Sequence, residues 1–355
     1  MKDHKFLEHL LATKKDVWPL MQNALKGILD FEECCKIDKK YSSLADFHKE
    51  MVDDYPRRQG KYLRPSLVLL ICESMGGSRE KILNTALAMQ LSEEWLLIHD
   101  DIEDNGNQRR GFPTLHNIYG KNLAINAGDA LHVLMWKVLR NNYEILDKNI
   151  ADRIMDEFAQ MLSRTIFGQT AELKWAQEEK REPTQEDVLY IIDGKTSYYS
   201  IAGPMRLGAI GAGAENSQLE KLYKFGQMMG RAFQIKDDLL DLTSDFGGLK
   251  KQLSSDVYES KKTVFLIHLL ENIEKENKPK LLEILRKSSK EKSIKEVKWV
   301  IKSMRQSGSL DYGEKLAKNY SVKALEYLNL ELDFINAKGK QTLADAIDFL
   351  VERDH

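Results

Sequence analysis

Two copies of one acidic pattern, DDxxD, constrain this chain more than anything else in it. The first is Asp100-Asp101-Ile102-Glu103-Asp104 and the second is Asp237-Asp238-Leu239-Leu240-Asp241. Each follows an apolar run, Trp95-Leu96-Leu97-Ile98 in one case and Ala232-Phe233-Gln234-Ile235 in the other. The spacing predicts helices, because residues i and i+4 share a helical face and i+1 lies beside them. Carboxylates crowded into one turn repel unless cations neutralise them. A strongly anionic, all-oxygen donor set suits Mg²⁺, which completes its shell with water and substrate phosphate. Two such clusters facing each other would hold a diphosphate through metal ions.

The rest of the chain favours helix. Only 7 prolines occur in 355 residues, and apolar positions recur with helical periodicity almost throughout. Breaks fall near Pro56 to Gly60, Gly76-Gly77, Asn105 to Pro113, Lys180 to Pro183, Gly211 to Glu215, Asp245 to Ser255, Glu276 to Pro279 and Ser307 to Ser309. These read as short loops, and none resembles a domain linker. No clear β alternation or short-period repeat stands out. The Lys- and Glu-rich stretch from Glu271 to Lys302 reads as a solvated helical hairpin. The expected fold is therefore all-α, a single helical domain over residues 1–355, with the two acidic helices lining a central cavity.

Charge and composition narrow the partners. Charged residues make up 30% of the chain, yet the net charge is only −2. Bulk charge thus gives no support to nucleic acid or an anionic membrane as partner. No run reaches the roughly 18 apolar residues of a membrane span. The start, Met1-Lys2-Asp3-His4-Lys5, lacks a signal-type apolar core, and the end, Glu352-Arg353-Asp354-His355, has no lipidation box. Cys34, Cys35 and Cys72 form no CxxC pair and read as reduced thiols. The expectation is a soluble, cytoplasmic protein.

Basic groups are interleaved with the acidic ones. Gly60-Lys61-Tyr62-Leu63-Arg64-Pro65 follows Arg57 and Arg58, and Arg109-Arg110-Gly111 follows the first acidic motif. Lys195-Thr196 follows Asp193-Gly194, and Lys251 and Lys261 follow the second acidic motif. A cation beside Gly, Pro or Thr is what a phosphate-gripping turn uses, with backbone N–H and hydroxyl donors assisting the charge.

Taken in order, GKxxRP, HDDxxD with RRG, KT and FQxxDDxxD resemble the trans-isoprenyl diphosphate synthases, the polyprenyl synthetase family. The resemblance runs from about Gly60 to Thr263. It implies an isoprenoid-synthase-type helical bundle and a Mg²⁺-dependent prenyltransferase with roughly three metal ions per active site. By that resemblance Asp100, Asp101 and Asp104 bind Mg²⁺ carrying an allylic diphosphate, and Asp237, Asp238 and Asp241 complete the metal cluster. Asp245 falls on the same face behind them, and His99 is a donor beside Asp100. Arg109, Lys195 and Lys251 match positions that hold the allylic diphosphate, and Lys261 matches a further family lysine. Lys61, Arg64 and Arg110 match positions for isopentenyl diphosphate. Thr196 and Gln234 match positions near the growing cation. Family members are commonly homodimers, and the same is expected here.

Several positions depart from the family pattern. Glu93 stands where the family has His or Gln against isopentenyl diphosphate, and a carboxylate there repels a diphosphate unless protonated or paired with Lys61 or Arg64. Ser254, Ser260 and Lys250 stand at positions usually held by Gly. Bulk about one turn before the first motif sets product length, and Trp95 and Leu96 lie there. A lone aromatic at Trp95 before an uninterrupted DDxxD resembles archaeal-type geranylgeranyl diphosphate synthases. A twenty-carbon product is therefore expected ahead of the fifteen-carbon product of a farnesyl synthase. A non-catalytic subunit of a heteromeric synthase generally lacks one acidic motif. A terpene cyclase lacks GKxxRP. Both features are intact here.

Overall fold

The computed structural model describes residues 5–177, 183–243 and 254–351. The described chain is all-α apart from one small β-hairpin. It divides into two compact units. One comprises residues up to Glu157 with Pro204–Glu215, and the other Phe158–Gly203 and the residues from Asn216 onward.

The first unit is built around the Leu83–Glu103 helix, which carries the first acidic motif at its end. Every residue from Thr85 to Ser92 is buried, so over two turns this helix has no solvent face, as a core helix requires. It packs against the helices Lys121–Arg140 and Leu63–Ser74. Gly128 permits the first of these contacts, because a Cβ there would lie 2.4 Å from His99 Nε2. The Lys5–Lys26 helix lays a stripe of Phe6, Leu10, Val17 and Met21 onto the same unit. Each such side chain contributes about 2 kcal/mol on burial.

The hairpin pairs Gln108–Arg109 with Phe112–Pro113, antiparallel, Arg109 opposite Phe112. Its turn residues, Arg110 (φ 53°) and Gly111 (φ 83°), are both left-handed, as a tight hairpin turn of primed type needs. Strands this short carry no alternation, which is why the sequence reads there only as a loop.

The second unit centres on the Asn216–Thr243 helix, which ends in the second acidic motif. It packs on the Ser309–Glu331 helix and on a π-helical stretch, Asp193–Ala202. Gly230 lets the π-helix approach, since a Cβ there would lie 2.5 Å from Ser197 Cα. Ile235, Leu239 and Leu242 join Phe265, Leu269 and Val300 in one core. Reciprocal capping boxes start the helices Gln185–Ile192 (Thr184 with Asp187) and Ile294–Gln306 (Ser293 with Glu296). The charged stretch from Glu271 to Lys302 is amphipathic rather than wholly solvated, because Leu281, Ile284, Val297 and Val300 enter the core. No described helix is long and apolar enough to cross a membrane.

Candidate active site

The first acidic motif splits into two kinds of carboxylate. Asp101, only 3% exposed, faces inward. Its Oδ2 accepts from Tyr55 Oη at 2.6 Å and Arg109 Nε at 2.9 Å, and its Oδ1 accepts from Arg109 Nη2 at 2.5 Å. The fork–fork pair fixes the Arg109 guanidinium plane. Burial, and then the Asp101 charge, push the Tyr55 phenol well above its ordinary pKa, so it stays a donor. Asp100 is partly exposed, with Oδ2 3.7 Å from Arg109 Nη2. Asp104 caps the helix, its N–H bonded to Asp100 O. The i and i+4 carboxylates thus share the outer face while i+1 is spent on the fold.

Tyr55 and Arg58 are functional supports that the sequence did not single out for this role. Arg58 donates to Arg109 O at 3.0 Å and Pro113 O at 2.8 Å, clamping both hairpin strands. Asp54, 2.5 Å from Arg58, holds the clamp in turn. Nothing local in the sequence marks these contacts, which span some fifty residues.

The first turn residue of the hairpin, Arg110, points into a pocket of carboxylates. It donates to Glu94 Oε2 at 2.8 Å and reaches Glu93 Oε1 at 3.4 Å. Glu93 Oε2 also lies 3.0 Å from Arg64 Nη1. Gly60 lines the same spot, where a Cβ would come within 2.7 Å of Arg110 Nη2 and 3.4 Å of Glu93 Oε1. The GKxxRP turn and the RRG turn therefore converge on Glu93, with Lys61 exposed beside them. Burial, opposed by Arg110, raises Glu94 to a pKa of about 7.

One turn before the motif, Trp95 is buried against His132 of the Lys121–Arg140 helix, while Leu96 stays partly exposed. His99 turns toward that helix, with Nε2 3.4 Å from Ile125 O and 3.6 Å from Asp129 Oδ1.

In the second unit a cavity of about 90 Å³ gathers Lys195, Thr196, Gln234, Asp238 and Lys261, five of the residues expected from sequence. Glu172, Trp175, Asp256, Lys262 and Thr263 also line it and were not anticipated as site residues. Lys195 and Thr196 sit on the π-helix, a distortion that recurs at functional sites. Thr196 Oγ1 donates to Gln234 Oε1 at 2.7 Å, and Gln234 Nε2 donates to Asp238 Oδ1 at 2.7 Å. Lys195 pairs with Glu172 at 2.5 Å, and Lys261 with Glu259 at 3.2 Å and Asp256 at 3.8 Å.

The second motif repeats the division seen in the first. Asp238 is 7% exposed, and burial followed by the Asp256 charge hold its carboxyl well above the usual range. Asp237 is exposed and Asp241 partly so. Asp241 accepts from Ser255 Oγ and Asp256 N, both at 3.1 Å. Asp245, Lys250 and Lys251 lie outside the described residues.

The donor set fits a hard divalent cation bound with its substrate. In each motif the exposed or partly exposed members offer only carboxylate oxygens, and among the described residues no group of three or more His, Cys, Asp or Glu side chains is placed to hold a metal ion. Mg²⁺ takes oxygen donors of this kind together with water and phosphate oxygens.

The chain is similar to known proteins over most of its length. The sequence profile of the Polyprenyl synthetase family matches residues 45–304, and the chain belongs to that family. It is 33% identical over 295 residues to the short chain isoprenyl diphosphate synthase of Methanocaldococcus jannaschii, spanning 83% of this chain and 85% of that one. It is 34% identical over 294 residues to the geranylgeranyl diphosphate synthase of Sulfolobus acidocaldarius, spanning 82% and 86%. The crystal structure of geranylgeranyl pyrophosphate synthetase from Pyrococcus horikoshii matches with a TM-score of 0.84 at 27% identity, covering 100% of both chains.

Proposed function

We propose that this chain is a short-chain trans-prenyltransferase that condenses isopentenyl diphosphate with allylic diphosphates, ending at twenty carbons. The observation that carries the reading is the matched division of the two acidic motifs. In each, the middle carboxylate is buried in hydrogen bonds of its own unit, and the i and i+4 carboxylates lie further out. Surface acids on an ordinary helix have no reason to show this twice.

On this reading Asp100, Asp104, Asp237 and Asp241 hold Mg²⁺, while Asp101 and Asp238 orient Arg109 and Gln234 instead. Bound Mg²⁺ supplies neutralising charge to the leaving diphosphate. Arg109, kept in orientation by Asp101, binds the allylic diphosphate together with Lys195 and Lys261, which exchange their carboxylate partners for phosphate oxygens, and Lys251 joins them by the family resemblance alone. Lys61, Arg64 and Arg110 receive isopentenyl diphosphate. The allylic C–O bond breaks and its electron pair leaves on the diphosphate. The double bond of isopentenyl diphosphate then forms the new C–C bond, and a proton passes to the released diphosphate. The protein supplies no nucleophile. The oxygens of Thr196 and Gln234, tied to each other, steady the positive charge. Trp95 ends the channel for the growing tail. The active form is a cytoplasmic homodimer, as is common in the family.

The test is incubation of the purified chain with Mg²⁺, radiolabelled isopentenyl diphosphate and, separately, five-, ten- and fifteen-carbon allylic diphosphates. A twenty-carbon product is expected. A fifteen-carbon product keeps the enzyme class and moves the channel floor. No condensation with any primer overturns the reading.

A further inference from the structure

Adjacent carboxylates, Glu93 and Glu94, both enter the cation cradle, but they are held differently. Glu94 has a side chain only 1% exposed and is fully engaged. It accepts from Arg110 Nη1 at 2.8 Å, Arg110 Nη2 at 3.1 Å and Gln90 Nε2 at 2.7 Å. That is a fixed anchor for the Arg110 side chain. Glu93 is more open, with a side chain 12% exposed, and its ties are loose. Its contact to Arg110 is long at 3.4 Å. Its Oε2 lies 3.0 Å from Arg64 Nη1, yet no donor is aligned to give it a hydrogen bond. Glu93 is thus bound mainly by charge, and charge without directed hydrogen bonds is what an incoming anion most easily replaces.

We infer that Glu93 is a resident counter-anion that the diphosphate of the second substrate displaces from Arg64 and Arg110, so that Glu93 sets the affinity for that substrate. This rests on the assignment of those two arginines to isopentenyl diphosphate. A diphosphate cannot settle on them while Glu93 stays in place, because two carboxylates and the phosphates would then crowd the same cations. Moving Glu93 out costs its attraction to both guanidinium groups, and that cost is subtracted from substrate binding. Allylic diphosphate binding does not involve these contacts and carries no such cost. Glu94 plays no part in the exchange, since releasing it would strand Arg110.

Calorimetric titration with isopentenyl diphosphate alone, in Mg²⁺ and without an allylic primer, tests this directly, because no turnover is needed. Glu93→Gln and Glu93→His are expected to bind about tenfold more tightly than the unaltered chain, the effect of one like charge removed from the cradle. In steady-state assays KM for isopentenyl diphosphate should fall by a similar factor, with KM for the ten-carbon allylic diphosphate unchanged. A purely structural role for Glu93 would move both or neither. Equal or weaker binding in both variants, with helical content intact by circular dichroism, overturns the inference. Two substitutions of different shape guard against one misfolding. If no primer is condensed by any of the three proteins, the prenyltransferase reading fails, while the titration still decides the role of Glu93.

Discussion

Trp95 lies flat against His132, with ring centroids 4.0 Å apart and planes tilted by only 12°. The stack is itself braced, since Trp136 Nε1 donates to His132 Nε2 at 2.9 Å. Burial lowers the His132 pKa, which keeps the ring neutral and Nε2 an acceptor. The proposed floor of the product channel is therefore a braced pair of rings shared by two helices.

Trp95→Ala should lengthen the products by at least one five-carbon step. His132→Ala, which leaves the indole but removes its support, should broaden the product distribution. Trp95→Ala also costs about 3 kcal/mol of stability through the cavity it opens, so Trp95→Leu serves as a milder companion. Product chromatography decides the matter: unchanged lengths in all three would show that the floor lies elsewhere.

The two carboxylates at the head of the first motif should fail in different ways. Asp100→Ala, and likewise Asp237→Ala, should abolish turnover with little change in unfolding free energy. Asp101→Asn should lower turnover and also stability, by about 2 kcal/mol, because Arg109 and the Tyr55 hydroxyl lose a charged partner. Urea unfolding alongside activity separates the cases. Near-normal turnover in Asp100→Ala would remove that residue from the proposed metal set.

Much of this was legible in the chain because it is local. The DDxxD spacing alone places Asp100 with Asp104 and Asp237 with Asp241 on one face, and helical periodicity places the supporting helices. Hidden were the contacts made across long loops. Tyr55 reaches Asp101 over 46 residues, with no periodic signal to announce it. The hairpin that aims Arg109 and Arg110 in different directions has two-residue strands, too short to alternate. The π-helix at Lys195 packs closely on Gly230 through Ser197, a contact that a propensity scale does not register. Glu93 was marked by its charge, with Lys61 or Arg64 expected as its partner; the fold pairs it with Arg64 and adds Arg110, which the sequence did not place there.

Ser254 and Ser260 occupy positions that suit glycine, with φ of 62° and 56°. Left-handed backbone costs a serine roughly 1 kcal/mol. Ser254→Gly should recover about 0.5 kcal/mol after the added freedom of the unfolded chain, and its N–H bond to Asp241 O survives. Ser260→Gly should instead destabilise by about 1–3 kcal/mol. The Ser260 hydroxyl donates to Leu285 O at 2.8 Å and accepts from Lys292 Nζ at 2.6 Å, so its loss leaves a buried ammonium short of a partner. Denaturant unfolding of both variants is the check, and a gain in both would show that the hydroxyl of Ser260 contributes nothing.

Lys292 makes stability depend on alkaline pH. It is 5% exposed and donates to Tyr258 O and to Ser260 Oγ, holding the segment that leads to Lys261. Burial, and then the charge of Lys262, push its pKa down from 10.5 to about 8. Below that value folded and unfolded chains both carry the proton, and the cost of a buried ammonium is present in full. Between about 8 and 10.5 the unfolded chain binds more protons than the folded one, so this group's contribution to stability rises with pH. In Lys292→Met that contribution is absent. The unfolding free energy of the unaltered chain, relative to Lys292→Met, should therefore climb from pH 7.5 to pH 10.5, the window bracketing that shift. A difference that stays flat across the window would mean that Lys292 remains charged and fully compensated where it lies.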